Sequence, residues 1–257
     1  MHIAAKYALL IGVALCGVAA GQQVVRDPQG IAALTKALTV AGGSTLLSAI
    51  TDVTMQGKAT YYSAEPLEGV VTVRGRGLHE FRLDASLPDG QHSWIVNATG
   101  SFAKNSDGTT LALPAENTAK IATVTFPWLT LLAAIQDTAI SITNLGTVAH
   151  GGQQMQEILI QRIFPASQDP GGARSKVTLA HIFIDPATMT VKAIVDTAYA
   201  IRGLGEYPHE MQFSDYQPIN GVLVPMSVME LIGGQKTTSL QLTQVSFNTG
   251  LTDADFQ

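Results

Sequence analysis

The clearest pattern in the chain is an alternation of apolar and polar residues in the segment HEFRLDASL. Its apolar members fall on one face of a strand: Phe81, Leu83, Ala85 and Leu87. Its polar members fall on the other: Glu80, Arg82, Asp84 and Ser86. One dry and one wet face is typical of an antiparallel sheet rather than of a parallel sheet buried on both sides. The flanking segments GVVTVRG and QHSWIVNATG predict neighbouring strands, with Pro88-Asp89-Gly90 as a turn.

The last third of the chain predicts five consecutive antiparallel strands separated by turn signals. Asp185-Pro186 has the residues preferred at the first two positions of a turn. Asn220-Gly221 is the strongest short hairpin signal, and Gly233-Gly234 marks the next turn. Strand and helix patterns do not alternate regularly, so the sequence does not indicate a parallel sheet.

Two segments predict helices. In RDPQGIAALTKALTVAGG, Asp27 is a capping residue and Pro28 suits the first helical position, while Gly42-Gly43 ends the helix. In the middle of the chain, FPWLTLLAAIQD, residues 126–137, is apolar on nearly every side. A helix of this kind is buried all round or covers an apolar cavity. The short amphipathic first helix is expected to lie on the sheet.

The start of the chain, MHIAAKYALLIGVALCGVAAGQ, has the features of a secretory signal. Lys6 lies in a basic n-region, an apolar run follows from Tyr7, and Val18-Ala19-Ala20 provides small residues at the exit. We therefore expect residues 1–20 to be a signal peptide, the protein to be exported to the periplasm or secreted, and no transmembrane segment to remain after cleavage. A buried N-terminal helix is the alternative.

The single cysteine, Cys16, lies inside that predicted signal. The mature protein is therefore expected to have no disulfide and no thiol chemistry. Residues 13–17, VALCG, are similar to the segment that precedes the lipidated cysteine of bacterial lipoproteins. Leu15, however, is larger than the residue usually found before that cysteine. Lipid anchoring through Cys16 is thus the less favoured alternative.

Composition narrows the classes of function. Lys and Arg number 15 against 20 Asp and Glu, and no basic cluster exceeds the scattered Arg74, Arg76 and Arg82, so the sequence predicts no nucleic-acid partner. Only 14% of residues are charged whereas 46% are hydrophobic. This ratio indicates more apolar surface than a compact core needs.

The order of an export signal, an amphipathic helix, an antiparallel meander and an apolar mid-chain helix resembles a known family. FSDYQPINGVLVPMSVME and LTQVSFNTGLTDADF, with a terminal Asp-x-x-Phe pattern at Asp253 and Phe256, are similar to the last strands of the periplasmic outer-membrane lipoprotein carrier and receptor (LolA/LolB-like) superfamily, which includes sensor relatives. The likeness covers about a third of the chain, from Val177 to Phe256. It implies an α+β fold in which residues 21–257 form one half-barrel domain.

In that fold, an open, curved antiparallel sheet of about ten strands would hold acyl chains of a lipid or lipoprotein on its concave face. The N-terminal helix and the mid-chain helix would cover that face. We expect five residues to line the apolar cavity: Trp94, Phe126, Trp128, Leu131 and Leu132. The alternative is that these side chains only form the core between helix and sheet.

Other chemistry has weak support in the sequence. The histidines after the signal have no metal-ligand spacing, so no metal and no cofactor are predicted. No Gly-x-Ser-x-Gly elbow occurs. Four acidic residues could in principle form an acid–base pair: Asp185, Asp196, Glu206 and Asp215. Single acidic residues at strand ends more often form turns, and we predict no catalytic residue.

Three hypotheses follow. The favoured one is a non-enzymatic protein that binds or carries an acylated or apolar ligand in the bacterial envelope. The second is an interaction or sensor module on the same scaffold, which has an envelope protein as its partner and a cavity filled by side chains. The third, an envelope hydrolase, requires at least two acidic residues or histidines to meet within hydrogen-bond distance in a pocket.

Overall fold

The computed structural model describes residues 23–120, 123–200 and 205–257, which fold into one antiparallel sheet with short helices. The strands are β1 (Asp52–Tyr61), β2 (Leu67–Arg76), β3 (Glu80–Leu87), β4 (Gly90–Asn97), β5 (Gly100–Lys104), β6 (Thr110–Ala112), β7 (Ile140–His150), β8 (Gln153–Arg162), β9 (Ala180–Ile184), β10 (Val191–Tyr199), β11 (Glu206–Ile219), β12 (Val222–Ile232) and β13 (Gln235–Phe247). The helices are α1 (Pro28–Val40), α2 (Ser44–Ser48), α3 (Ala115–Thr118), α4 (Pro127–Gln136) and α5 (Ala173–Val177), with a final 3-10 turn at Asp253–Phe256. The predicted signal peptide and Cys16 lie outside the described residues.

The prediction of an α+β fold with an open antiparallel sheet is confirmed, but its strand count is wrong. The sheet has 13 strands rather than about ten. The strands that the pattern did not indicate are β5, β6 and β7. Strands β5 and β6 are only 5 and 3 residues long, and β7 is broken by a register shift between Asn144 and Gly146. Short edge strands and bulges interrupt the alternation on which strand prediction depends.

The sheet is strongly curved. Its order is β6-β5-β4-β3-β2-β1-β13-β12-β11-β10-β9-β8-β7, so β5 and β10 are eight strand spacings apart. In a flat sheet that separation would be about 38 Å. Yet the single turn of α3 contacts both strands, and Asn117 on α3 bonds the backbone of Tyr199 on β10. The two halves must therefore bend towards each other around an open concave side.

Two helices cover part of the concave side, as predicted. Asp27 caps α1 by accepting a hydrogen bond from the Gln29 amide. Helix α1 packs so closely on β7 that a Cβ at Gly30 would lie 2.8 Å from Ile142 Cγ2. Helix α4 packs against α1, α2 and β7. These helices fill the concave face over the C-terminal half of the sheet. No helix within residues 23–120, 123–200 and 205–257 is long and apolar enough to cross a bilayer.

The two halves of the sheet meet where β1 pairs with β13, and this seam contains a bulge. The register shifts between Gln56 and Gly57. A Cβ at Gly57 would overlap the Gln241 carbonyl oxygen and lie 2.8 Å from Leu242 Cα. Only glycine allows the two backbones to approach this closely. Since bulges increase local bending and twist, Gly57 contributes directly to the curvature.

We expect Gly57→Ala to lower the free energy of unfolding by about 1–3 kcal/mol, because the methyl group must push β13 away. The matched control is Gly75→Ala on β2, where the nearest atom, Glu80 O, is 3.9 Å from a built Cβ. Chemical denaturation of both variants measures the difference. Equal stability of the two variants would contradict a steric requirement for glycine at the seam.

Candidate functional site

A cavity of about 420 Å³ lies between the curved sheet and the residues that connect β6 to α4. Much of its wall is apolar and comes from the first half of the sheet and the start of α4: Met55, Val73, Phe81, Leu83, Trp94 and Phe126. Trp94 on β4 and Phe81 on β3 contact each other edge to face, with ring centroids 5.5 Å apart. This wall offers aromatic and aliphatic surface to an apolar molecule.

The five residues proposed from the sequence occupy two different environments. Trp94 and Phe126 line the cavity. Trp128, Leu131 and Leu132 are buried in the core, and none of them is part of the cavity wall. Trp128 donates a hydrogen bond to the Leu223 carbonyl, which holds α4 on β12. A role for any of the five in binding a ligand stays a prediction.

The opposite wall carries a compact cluster of charged side chains, which we call the polar cluster: Lys120, Asp196, His209 and Glu230. Asp196 Oδ1 accepts hydrogen bonds from Lys120 Nζ and from His209 Nδ1, each at 2.7 Å. His209 Nε2 lies 3.2 Å from Glu230 Oε1. Exposed fractions of the four side chains are between 4% and 13%. Three of them come from neighbouring strands, β10, β11 and β12.

Lys120 is brought to the cluster by the connection between β6 and α4. The side chain of Asn117 on α3 bonds both the amide and the carbonyl of Tyr199, at 2.9 Å each. In this way Asn117 acts as an extra partner for the end of β10. Three residues later, Lys120 reaches Asp196 on the same strand. The connection is therefore fixed to the sheet at two points beside the cavity.

The protonation states of the cluster follow from burial and pairing. Burial disfavours the charged form of His209, but hydrogen bonds to Asp196 and Glu230 outweigh it and raise the pKa of His209 to about 8. Burial likewise disfavours the charged form of Glu230, yet its bond to His209 leaves the pKa of that carboxyl lowered. Burial and the Glu230 charge raise the pKa of the Tyr61 hydroxyl to about 12. Near neutral pH, His209 and Glu230 are both charged and Tyr61 is neutral.

Sequence reasoning did not identify His209, Glu230 or Lys120 as site residues. A usable signal was present in the turn at Asn220-Gly221. A two-residue hairpin turn fixes which residues face each other, and it places Met211 opposite Glu230 and His209 opposite Ile232. The apolar face that contains Met211 and Phe213 therefore also carries His209, with Glu230 diagonally across. Lys120 could not be found in this way because it lies outside the sheet.

The cluster meets the distance condition that the hydrolase hypothesis requires. Its geometry is nevertheless unsuited to a general base, since both ring nitrogens of His209 already face carboxylates. The other acidic residues considered are elsewhere. Asp185 accepts bonds within its own turn, Glu206 pairs with Lys176, and Asp215 is exposed on β11. Within the described part of the chain, no group of side chains is arranged to hold a metal ion.

Comparison with known proteins identifies the fold. No protein-family model matches the chain, and no curated protein sequence matches it. The structure is similar to a LolA-superfamily protein from Nitrosomonas europaea, with 8% identity, a TM-score of 0.53, and coverage of 89% of this chain and 97% of that one. It is also similar to a domain described as an outer-membrane lipoprotein-sorting protein from Vibrio parahaemolyticus, with 12% identity, a TM-score of 0.51, and coverage of 89% and 96%. The resemblance to the lipoprotein-carrier superfamily is thereby confirmed at the level of the fold.

The raised pKa of His209 predicts a pH-dependent stability. Because the folded pKa of about 8 exceeds the ordinary 6.5, the stabilisation is complete below pH 6.5 and is lost as the pH rises through 8. Its size is about 2 kcal/mol, since one pKa unit corresponds to about 1.4 kcal/mol. Urea denaturation between pH 6 and pH 9 should show this loss in the wild type and not in His209→Gln. A difference between the two proteins that stays constant with pH would contradict the ion-pair assignment.

Proposed function

We propose that this protein is an exported, non-enzymatic binding protein that holds the apolar part of a lipid or a lipoprotein acyl chain in its cavity. The observation that carries the proposal is the cavity of about 420 Å³. It lies on the concave side of the sheet, and one of its walls is apolar. Its volume is within the range of roughly 300–1,000 Å³ that is typical of sites for small molecules. The shared fold with a domain described as an outer-membrane lipoprotein-sorting protein supports a ligand of this class.

The energetics of burial support binding without any reactive residue. Each methylene group moved from water into an apolar site contributes about 0.8 kcal/mol. A chain of about a dozen carbons therefore gains enough to offset the cost of association and reach micromolar affinity. Trp94 and Phe126 are the residues we assign to direct contact. Trp128, Leu131 and Leu132 would support the wall from the core behind it.

The alternative is an interaction or sensor module with a cavity filled by its own side chains. The unfilled volume between Trp94 and the polar cluster favours a ligand over that alternative. Our proposal also includes export to the bacterial envelope, for which the predicted signal at residues 1–20 is the support. The continuous sheet supports the proposal that residues 21–257 form one domain.

Filling the cavity should weaken binding. Ala103 lies opposite Trp94 on the neighbouring strand and lines the cavity, so Ala103→Trp places a large ring where the ligand would lie. Titration of delipidated protein with N-phenylnaphthylamine, a fluorophore that brightens in apolar surroundings, should show affinity at least about tenfold weaker than wild type.

Ala149→Trp is the matched control, because Ala149 is exposed on β7 and lies outside the cavity wall. It should bind the fluorophore as the wild type does. If the wild type takes up no fluorophore, the binding function is wrong and the module with a filled cavity is the better description. If the two tryptophan variants weaken binding equally, the ligand does not occupy this cavity.

A further inference from the structure

The polar cluster is balanced in charge. Lys120 and protonated His209 contribute two positive charges, and Asp196 and Glu230 contribute two negative charges. Each positive group contacts a carboxylate directly, at distances of 2.7–3.2 Å. Thr237 donates a further hydrogen bond to Glu230 Oε2 at 2.6 Å. Buried ions are tolerated only when they are paired in this manner.

The cluster faces the cavity across from the apolar wall. Asp196, His209 and Glu230 point inward from β10, β11 and β12, whereas Trp94 points inward from β4. A molecule that fills the cavity therefore contacts aromatic surface on one side and paired charges on the other. This arrangement suits an amphiphile, with its apolar chain against Trp94 and its head group against the cluster.

The charge balance limits which head groups fit. A sulfonate or a quaternary ammonium group beside the cluster would bring one additional charge that has no partner. Placing an unpaired charge next to these mostly buried side chains is unfavourable. A hydroxyl or ester group adds no charge and still exchanges hydrogen bonds with an ammonium or carboxylate group. The other ionisable groups on the wall do not alter this balance at the cluster. Glu80 is paired with Arg76 and His92 with Asp89, and Lys104 is exposed on β5.

We propose that the polar cluster is a head-group subsite that accepts the uncharged, hydroxyl- or ester-bearing head of an amphiphile and discriminates against heads with a net charge. The inference rests on the proposed function, because the apolar chain must occupy the same cavity. It adds the chemical class of the head group, which neither the fold nor the apolar wall specifies.

Three probes, each with an unbranched twelve-carbon chain, test the subsite by calorimetry at pH 6, below their micelle concentrations. They are monolauroylglycerol, which is neutral, dodecanesulfonate, which is anionic, and dodecyltrimethylammonium, which is cationic. The wild type should bind the neutral probe at least about tenfold more tightly than either charged probe. Equal affinity for all three overturns the subsite but leaves the cavity as a binding site. If none of the three probes binds, both the proposed function and the subsite are overturned.

Two variants with opposite changes in charge sharpen the test. Lys120→Gln leaves the cluster with net negative charge and should move the preference towards the ammonium probe by about tenfold. Glu230→Gln, at a pH where His209 is protonated, should move it towards the sulfonate probe. Lys104→Gln removes a lysine of the cavity wall outside the cluster and is the control, with an unchanged order of affinities. Identical shifts in Lys120→Gln and Lys104→Gln would show that only the overall charge matters and would overturn the subsite.

Discussion

The structure depends above all on the curvature of one continuous sheet at the seam between β1 and β13. These strands are separated by most of the chain, and their pairing joins two meanders into a single sheet of 13 strands. The bulge at Gly57 lies in this pairing, and on the adjacent strand β2 the backbone of Gly69 closely approaches Ser86 on β3. A flatter sheet would hold Trp94 and His209 too far apart to line one cavity.

The helices determine how much of the concave side remains open. Arg26 fixes the end of α4 by donating hydrogen bonds to the carbonyls of Ala134 and Ile135, at 2.7 and 2.8 Å, and it also donates one to the carbonyl of Ile140 on β7, at 3.0 Å. The first two contacts satisfy backbone groups that a helix end leaves without partners. Because α4 is held at this end against β7, its first turn extends towards the seam and places Phe126 at the cavity. The helix thus fills one half of the concave side and borders the space left in the other half.

Local patterns in the sequence were sufficient to predict most strands of the sheet and both main helices. Alternation predicted the strands, and turn residues such as Asn220-Gly221 set their limits, because these features act over few residues. The orientation of α4 was not predictable, since a helix that is apolar on every side has no periodic signal to distinguish core from cavity. Trp128 and Phe126 therefore received the same prediction although their environments differ. To predict the polar cluster, one would need the register of three strands and the position of a connection that lies outside them.

Polar residues inside an apolar cavity are costly, so their presence in this fold needs a physical reason. Replacing buried ion pairs with apolar side chains is often neutral or stabilising, and the remaining wall shows that this sheet accommodates apolar residues readily. The cluster provides a directional connection that apolar side chains could not provide. Through the bond from Lys120 to Asp196, it connects the segment that borders the cavity to the sheet, while Asn117 fixes the same segment to Tyr199. In the proposed function, a head group bound at Lys120 would therefore contact both the wall of the cavity and the segment that borders it.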